Sequence, residues 1–200
     1  EFFKSMIEIS CNYQDERLST LKYDACFNEI SEKDFLDDVK TVCHQGIVGS
    51  YSYEVAEKYF SDKKIVSVET FKDVFENVIN GVCDIGILPF ENLCQGSVDE
   101  VYDLVRKYNV IVTHNVDLSI CHCLAGTGNK ENVKTVMSHP QALGQCSEYI
   151  SENGYVKKEA INTAVAAQKV RDAKDDTVGA ICSSLAADKF GLKVLDCDIA

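Results

Sequence analysis

No apolar run in this chain approaches the roughly 20 residues that a membrane-spanning helix needs. The N-terminus also lacks the charged, apolar and small-residue order of a secretory signal. Basic residues are scarce: 20 Lys and Arg against 32 Asp and Glu leave a net charge of −12. A surface of that sign repels nucleic acid and anionic membranes, so neither is expected as a partner. No Lys or Arg lies between Lys72 and Arg106, and none between Lys134 and Lys157. An anionic ligand bound by those stretches must therefore be held by backbone N–H groups, amides and hydroxyls, the donors that helix N-termini supply. Cys-x-x-Cys pairs are missing as well. The ten cysteines are scattered, and several sit in apolar stretches (Cys83, Cys121, Cys123, Cys182). That placement reads as buried reduced thiols in a soluble cytoplasmic protein, not as a disulfide frame or a zinc site. In Cys121-His122-Cys123 a strand would turn His122 away from both thiols, so no metal is assigned.

What the chain does have is enough apolar content, 46% of 200 residues, to bury one two-lobed domain or two small ones. It opens at Glu1 without a methionine, which suggests a piece of something longer. Residues 1–20 read as one amphipathic helix, with Phe2, Met6, Ile9 and Tyr13 along a stripe, and residues 21–40 as an acidic linker. From Thr41 the pattern changes. Strands are predicted at Thr41–Gln45, Lys64–Val68, Asp84–Leu88, Val133–Met137, Tyr155–Ala160, Val178–Cys182 and Leu192–Leu195. Helices are predicted at Ser50–Phe60, Thr70–Asn80, Ser97–Lys107, Thr163–Ala173 and Ser184–Phe190, with Gly81 and Gly191 closing two of them. This alternation predicts an α/β fold with mostly parallel sheets and flanking helices. Two adjacent strands, near Val110–His114 and Leu118–Leu124, break the rhythm and read as the crossing into a second lobe.

Three strand-to-helix turns carry unusual polar content, and in open α/β sheets such turns converge on a ligand cleft. The first, Gly46 to Ser52, is neither a Walker loop nor a dinucleotide fingerprint; it fits a tight turn with a serine cap as well as a ligand loop. In the second, Pro89 to Ser97, Glu91 and Asn92 directly follow an apolar strand, a position that favours function over plain solvation. Ser97 and Glu100 form a capping-box pattern. The third turn is Ser138-His139-Pro140-Gln141-Ala142-Leu143-Gly144-Gln145-Cys146. Here Ser138 and Gln141 match a capping box and Pro140 fits the first helical turn, while Gln145 lies one turn beyond Gln141. Both Ser138 and Gln141 are either caps or ligand contacts. Asn162-Thr163 poses the same choice between N-cap and contact.

Taken in order, Gln45-Gly46 with Gly49-Ser50-Tyr51-Ser52, Pro89-x-Glu91-Asn92, Ser138-His139-Pro140-Gln141-Ala142-Leu143-x-Gln145-Cys146, Thr163-Ala164, and Ala186-Ala187 with Phe190-Gly191-Leu192 resemble the prephenate dehydratase family. The resemblance covers Val42 to about Ile199. Residues Phe3, Met6, Ser10 and Gln14 are similar to the last helix of the all-helical chorismate mutase, which is fused ahead of the dehydratase in bifunctional proteins. The resemblance implies two α/β lobes around a cleft, similar to type 2 periplasmic binding proteins. Lobe one would hold about 41–113 and 183–200, and lobe two about 114–182, within a domain spanning 41–200. It implies conversion of prephenate, a small dicarboxylate, to phenylpyruvate on the way to phenylalanine, without metal or organic cofactor, in a homo-oligomer, usually a dimer. Glu91 and Asn92 would be the catalytic pair, with Glu91 positioning. Ser50, Tyr51, Ser52, Asn92, Ser138, Gln141, Gln145, Asn162 and Thr163 would bind substrate, and Ser10 and Gln14 would be the mutase-like remnant.

There are departures. The family's Thr-Arg-Phe segment, whose threonine is expected to protonate the leaving hydroxyl, occurs nowhere in these 200 residues. That main catalytic threonine is expected shortly beyond Ala200, so the chain alone is expected to turn over little or no substrate. Asn115 stands where Glu is common, Leu93 where Ser or Thr is, and Asn162 where Ser is. Arogenate dehydratase, a non-catalytic small-anion binding module and a fragment of a helical mutase are the competing readings. The last accounts only for the first 20 residues.

Overall fold

Three buried residues in a row, Val42, Cys43 and His44, make the centre of strand β1 (Thr41–Gln45), and a strand buried on both faces needs neighbours on both edges. In the computed structural model, which describes residues 37–92, 96–108 and 110–200, it has them. Strands β2 (Lys64–Val68) and β3 (Ile85–Ile87) both pair with it in parallel, giving the order β2-β1-β3. Helix α1 (Tyr51–Phe60) makes the first crossover, capped by the Ser50 hydroxyl, which accepts from the Tyr53 N–H. The second crossover is α2 (Phe71–Ile79), held at its start by a reciprocal capping box between Thr70 and Asp73. It buries Val74 and Phe75 against the sheet. The Asp84 carboxylate ties the open end of the sheet by accepting from the backbone of Lys40 and Thr41. Buried His44 is satisfied by Gln45 and Ser67, and burial lowers its pKa.

A two-residue ribbon, β4 (Glu91–Asn92) with β5 (Gly96–Ser97), leads into α3 (Asp99–Tyr108). The capping box expected from Ser97 and Glu100 is not formed. Ser97 belongs to the ribbon and donates its hydroxyl to Asp99 Oδ1, so the helix starts one residue later than the pattern requires. The strands expected at 110–114 and 118–124 are also not formed as read. Residues 110–122 form neither helix nor strand, leaving Ile111 and Val112 exposed, and pairing begins only at β6 (Cys123–Gly126). β-Branched residues make a strand only when a ladder partner is beside them, and none lies there among the described residues.

The second sheet adds β7 (Thr135–Ser138), β8 (Val156–Glu159), β9 (Val178–Cys182) and β10 (Lys193–Asp196) in the order β10-β6-β9-β7-β8. Its β9-β7-β8 half is parallel and its β10-β6-β9 half antiparallel. Alternate residues sort to two layers. Ala125, Met137, Ala180 and Cys182 meet α6 (Thr163–Ala173) and α7 (Ser184–Lys189), whose inward faces are Ala164, Ala166, Ala167, Val170, Ala186 and Ala187. Leu124, Val136 and Ile181 meet α4 (Pro140–Gln145) and α5 (Ser147–Glu152) through Ala142, Leu143, Cys146 and Ile150. Burying a side chain such as Leu124 or Ile181 contributes roughly 1.5–3 kcal/mol. Residues 183–200, expected in the first lobe, belong here instead: β10 pairs with β6, α7 packs on α6, β6 and β10, and Ile199 joins the second layer just before Ala200. Helix α7 also touches the elements beside the first sheet, with Lys189 paired to Glu57 on α1 and Ala186 against Gly49 in the turn after β1. Residues 38–200 thus pack as one unit. The amphipathic helix read over 1–20, with Ser10 and Gln14, and most of the linker lie outside the described residues.

Candidate active site

The chain leaves β1 through Gly46 and Gly49, both at positive φ, and Ser50 then caps α1. Parallel pairing of β7 with β8, Ser138 opposite Glu159, brings the turn at Ala160–Thr163 beside the turn at Ser138–Gln141. The Ala160 N–H donates to the Ser138 carbonyl at 2.8 Å. These turns, the end of β9 at Ser183 and the entry to β6 at His122 form one polar rim, joined by the contacts below.

Ser138 is neither exposed nor a cap. Its wholly buried hydroxyl donates to the Ile181 carbonyl at 2.6 Å and ties β7 to β9. His139 takes the N-cap position, its Nδ1 accepting from the Gln141 N–H at 3.3 Å, with Pro140 in the first turn. The capping box expected between Ser138 and Gln141 fails because the helix begins one residue later than the Ser-x-x-Gln pattern requires. Ser138→Ala should therefore lower the urea unfolding midpoint, at a cost of about 1–3 kcal/mol for a buried bond broken on one side. An unchanged midpoint would show the tie to be dispensable.

Freed from capping, the Gln141 side chain points its Nε2 into a place closed to solvent with no partner among the described residues. A buried donor left unpaired is uncommon and marks a place where a partner is missing. Gln145 is partly buried, with Oε1 2.8 Å from His122 Nε2. Tyr51, expected as a substrate contact, has its hydroxyl 3.0 Å from His122 Nδ1, and burial is the largest cause raising its pKa. Asn162 does cap α6, its Oδ1 accepting from the Val165 N–H at 2.7 Å, and Thr163 is buried just behind it. Ser52 lies half-buried on the first turn of α1. Glu91 stands apart, exposed, accepting from Tyr102 at 3.1 Å, and Asn92 beside it is half-buried. No described contact joins Glu91 to Gln141 or Gln145. The last residues of the second sheet's outer layer are tied to the rim as well. The Ile199 N–H donates to the His122 carbonyl at 3.2 Å, which leaves exposed Ala200 one residue from that bond.

Two residues of this rim escaped the sequence reading. The sequence raises His122 only as a metal ligand, because a Cys-His-Cys triplet invites that question. The triplet is not on one strand: Cys121 is exposed and donates to Asp198, while His122 and Cys123 are buried. Among the described residues, no group of three or more His, Cys, Asp or Glu is arranged to hold a metal. Burial pushes the thiols of Cys43, Cys123 and Cys182 up to about 12, which keeps them protonated and unreactive. Glu54, one turn after Tyr51, is the second. Its Oε2 is closed off without a partner, and burial raises its pKa against the opposing pulls of Ser183 and Lys58. A carboxyl with a raised folded-state pKa stabilises the fold below its ordinary value of 4.5, and that stability is lost as pH rises through the folded value. Glu54→Gln should therefore raise the melting temperature at neutral pH, with the gain fading as the pH falls toward 4.5. Equal gains at both ends of the titration would overturn the assignment.

No helix among the described residues is long and apolar enough to cross a membrane. Comparison with known proteins matches residues 42–200 to the prephenate dehydratase family. The arogenate dehydratase/prephenate dehydratase 1 of Arabidopsis thaliana is 37% identical over 180 residues, covering 89% of this chain and 46% of that protein. The prephenate dehydratase of Methanocaldococcus jannaschii is 39% identical over 153 residues, covering 74% of this chain and 55% of its own length. Among solved structures, a quorum quenching acylase superposes with a TM-score of 0.75 at 25% identity, covering 80% of this chain and 59% of that one. The chain spans about half the length of the curated relatives it matches. With the matched span running from β1 through β10 and containing every turn of the rim, this chain belongs to the prephenate dehydratase family.

Proposed function

We propose that the chain carries the dehydratase site that converts prephenate to phenylpyruvate. The observation that carries the reading is the Ser138–Gln145 turn, where the family's motif presents an unmet amide donor at Gln141 beside the N-terminus of the eleven-residue α6. Prephenate offers two carboxylates and a ring hydroxyl. In the reaction the ring carbon's bond to one carboxylate breaks and carbon dioxide departs. The freed electron pair completes the aromatic ring, and the hydroxyl leaves with a proton as water. The ring's aromatisation drives the step, so the protein must orient the substrate and assist the leaving group. Neutral donors suit that task. Gln141, Gln145 and Thr163 hold the carboxylates, Ser50 and Ser52 line the facing turn, and Glu91 with Asn92 positions the ring. Substrate binding is the step these donors carry, so binding is the test suited to these 200 residues. The same reading places the protein in the cytoplasm as a homodimer, which sedimentation tests. Prephenate titrated calorimetrically into the chain should bind saturably, and absence of binding heat overturns the reading. Arogenate is the second substrate to try, because a relative at 37% identity is named for both activities. The two differ only in a keto or amino group, and competition between them in the same titration gives the preference.

A further inference from the structure

His122 is 2% exposed, yet both of its ring nitrogens meet polar side chains from different parts of the fold. Tyr51, on α1 beside the first sheet, lies 3.0 Å from Nδ1; Gln145, on α4 beside the second, lies 2.8 Å from Nε2. Two arrangements of protons fit those distances. If Nε2 carries the proton, it donates to the Gln145 carboxamide oxygen and Nδ1 accepts from the Tyr51 hydroxyl. If Nδ1 carries it, the ring donates to Tyr51 and accepts from the Gln145 amide, and the Tyr51 proton needs another acceptor. Tyr51 has no other hydrogen-bond partner among the described residues, so the second arrangement strands a buried donor. The first satisfies all three groups. It also leaves both N–H bonds of Gln145 turned away from the imidazole.

We infer that His122, set by Tyr51, is a positioning residue that fixes the Gln145 carboxamide with its N–H pair toward the ligand, so that it donates to a carboxylate. The inference rests on the proposed prephenate site, since it is the substrate's carboxylates that require a donor there. Without the relay the Gln145 amide is free to turn and present its oxygen, which repels the same group. Tyr51 then contributes through His122 rather than by touching substrate.

A double-mutant cycle read by prephenate calorimetry tests this. His122→Leu should weaken binding about tenfold in the unaltered background, the scale of one hydrogen bond to a charged group. In a Gln145→Ala background the same change should do almost nothing, because there is no carboxamide left to orient. His122→Gln, whose amide N–H reaches the place of the Nε2 proton, should recover most of the affinity. Nitrogen-15 spectra of the imidazole should show the proton on Nε2, and Tyr51→Phe, which removes a single oxygen, should loosen that preference and cost affinity even if His122→Leu does not fold. Equal losses in both backgrounds, or an Nδ1 proton, overturn the relay while leaving the site reading intact. Failure of the unaltered chain to bind prephenate overturns both.

Discussion

Gly49→Val is expected to be among the more damaging single substitutions beside the first sheet, lowering stability by about 2–5 kcal/mol. Two independent terms add. Gly49 sits at φ +84, a left-handed conformation that costs an L-residue roughly 1–2 kcal/mol and a β-branched one more. A Cβ built there also lies 3.1 Å from both Cα and Cβ of Ala186, with the Phe190 ring at 3.4 Å. Ala186 Cα is backbone of α7, which packs on α6, β6 and β10, and cannot retreat without unpacking that layer. Forcing volume into such a contact typically costs a further 1–3 kcal/mol or so. Against a domain stability of about 5–15 kcal/mol the sum is a large fraction. Gly144→Ala is the matched control: its Cβ meets nothing within 4 Å and its φ is ordinary, so the urea midpoint should hold or rise slightly. If Gly49→Val melted like Gly144→Ala, the close approach of α7 to the first-sheet turn would be wrong. That approach also carries the site, because Ser50 and Tyr51 are the next two residues.

How far the sequence spoke for the fold depended on whether the deciding interaction was local. β1, β2, α6 and β9 fall at the residues read from pattern, because buried runs, alternation and the Asn162 cap are all written within a few positions. The failures share a cause. Residues 110–124 have strand composition, but a ladder needs a neighbour that composition does not name. β10 was assigned to the wrong sheet because its partner, β6, is some 70 residues away and pairs in the antiparallel sense. Ser138 looked like a cap in every local respect and was claimed instead by a carbonyl 43 residues on. His122 was hidden in the same way: neither Tyr51 nor Gln145 is near it in the chain, and only folding shows that its two nitrogens join them. Family resemblance named Gln141 and Gln145 as expected contacts. It did not show that one is a donor without a partner and the other is held by an imidazole.

The unpartnered donor makes Gln141→Ala the sharpest test of the site, because its two possible roles predict opposite signs. Were Gln141 a cap, truncation would cost the fold about 0.5–2 kcal/mol and leave affinity alone. The structure removes the cap argument, since His139 occupies the N-cap and the Gln141 side chain bonds to no described group. A buried N–H without an acceptor is a standing penalty, so Gln141→Ala should leave the melting temperature unchanged or raise it. Prephenate affinity should move the other way. A carboxylate that gives up water to reach Nε2 gains a charge-assisted bond of about 1.5–3 kcal/mol, so the variant should lose roughly 10- to 150-fold in Kd. The thermal shift produced by saturating prephenate, which follows affinity by mass action, should shrink in step. Gln141→Glu sharpens the contrast. It keeps the length and shape of the side chain but replaces the donor with an anion, and it should bind prephenate more weakly than the alanine variant because two carboxylates then share one closed space. A lower melting temperature with affinity intact would return Gln141 to the scaffold. A raised melting temperature with affinity lost would mean that the fold tolerates an unsatisfied donor because substrate supplies its acceptor.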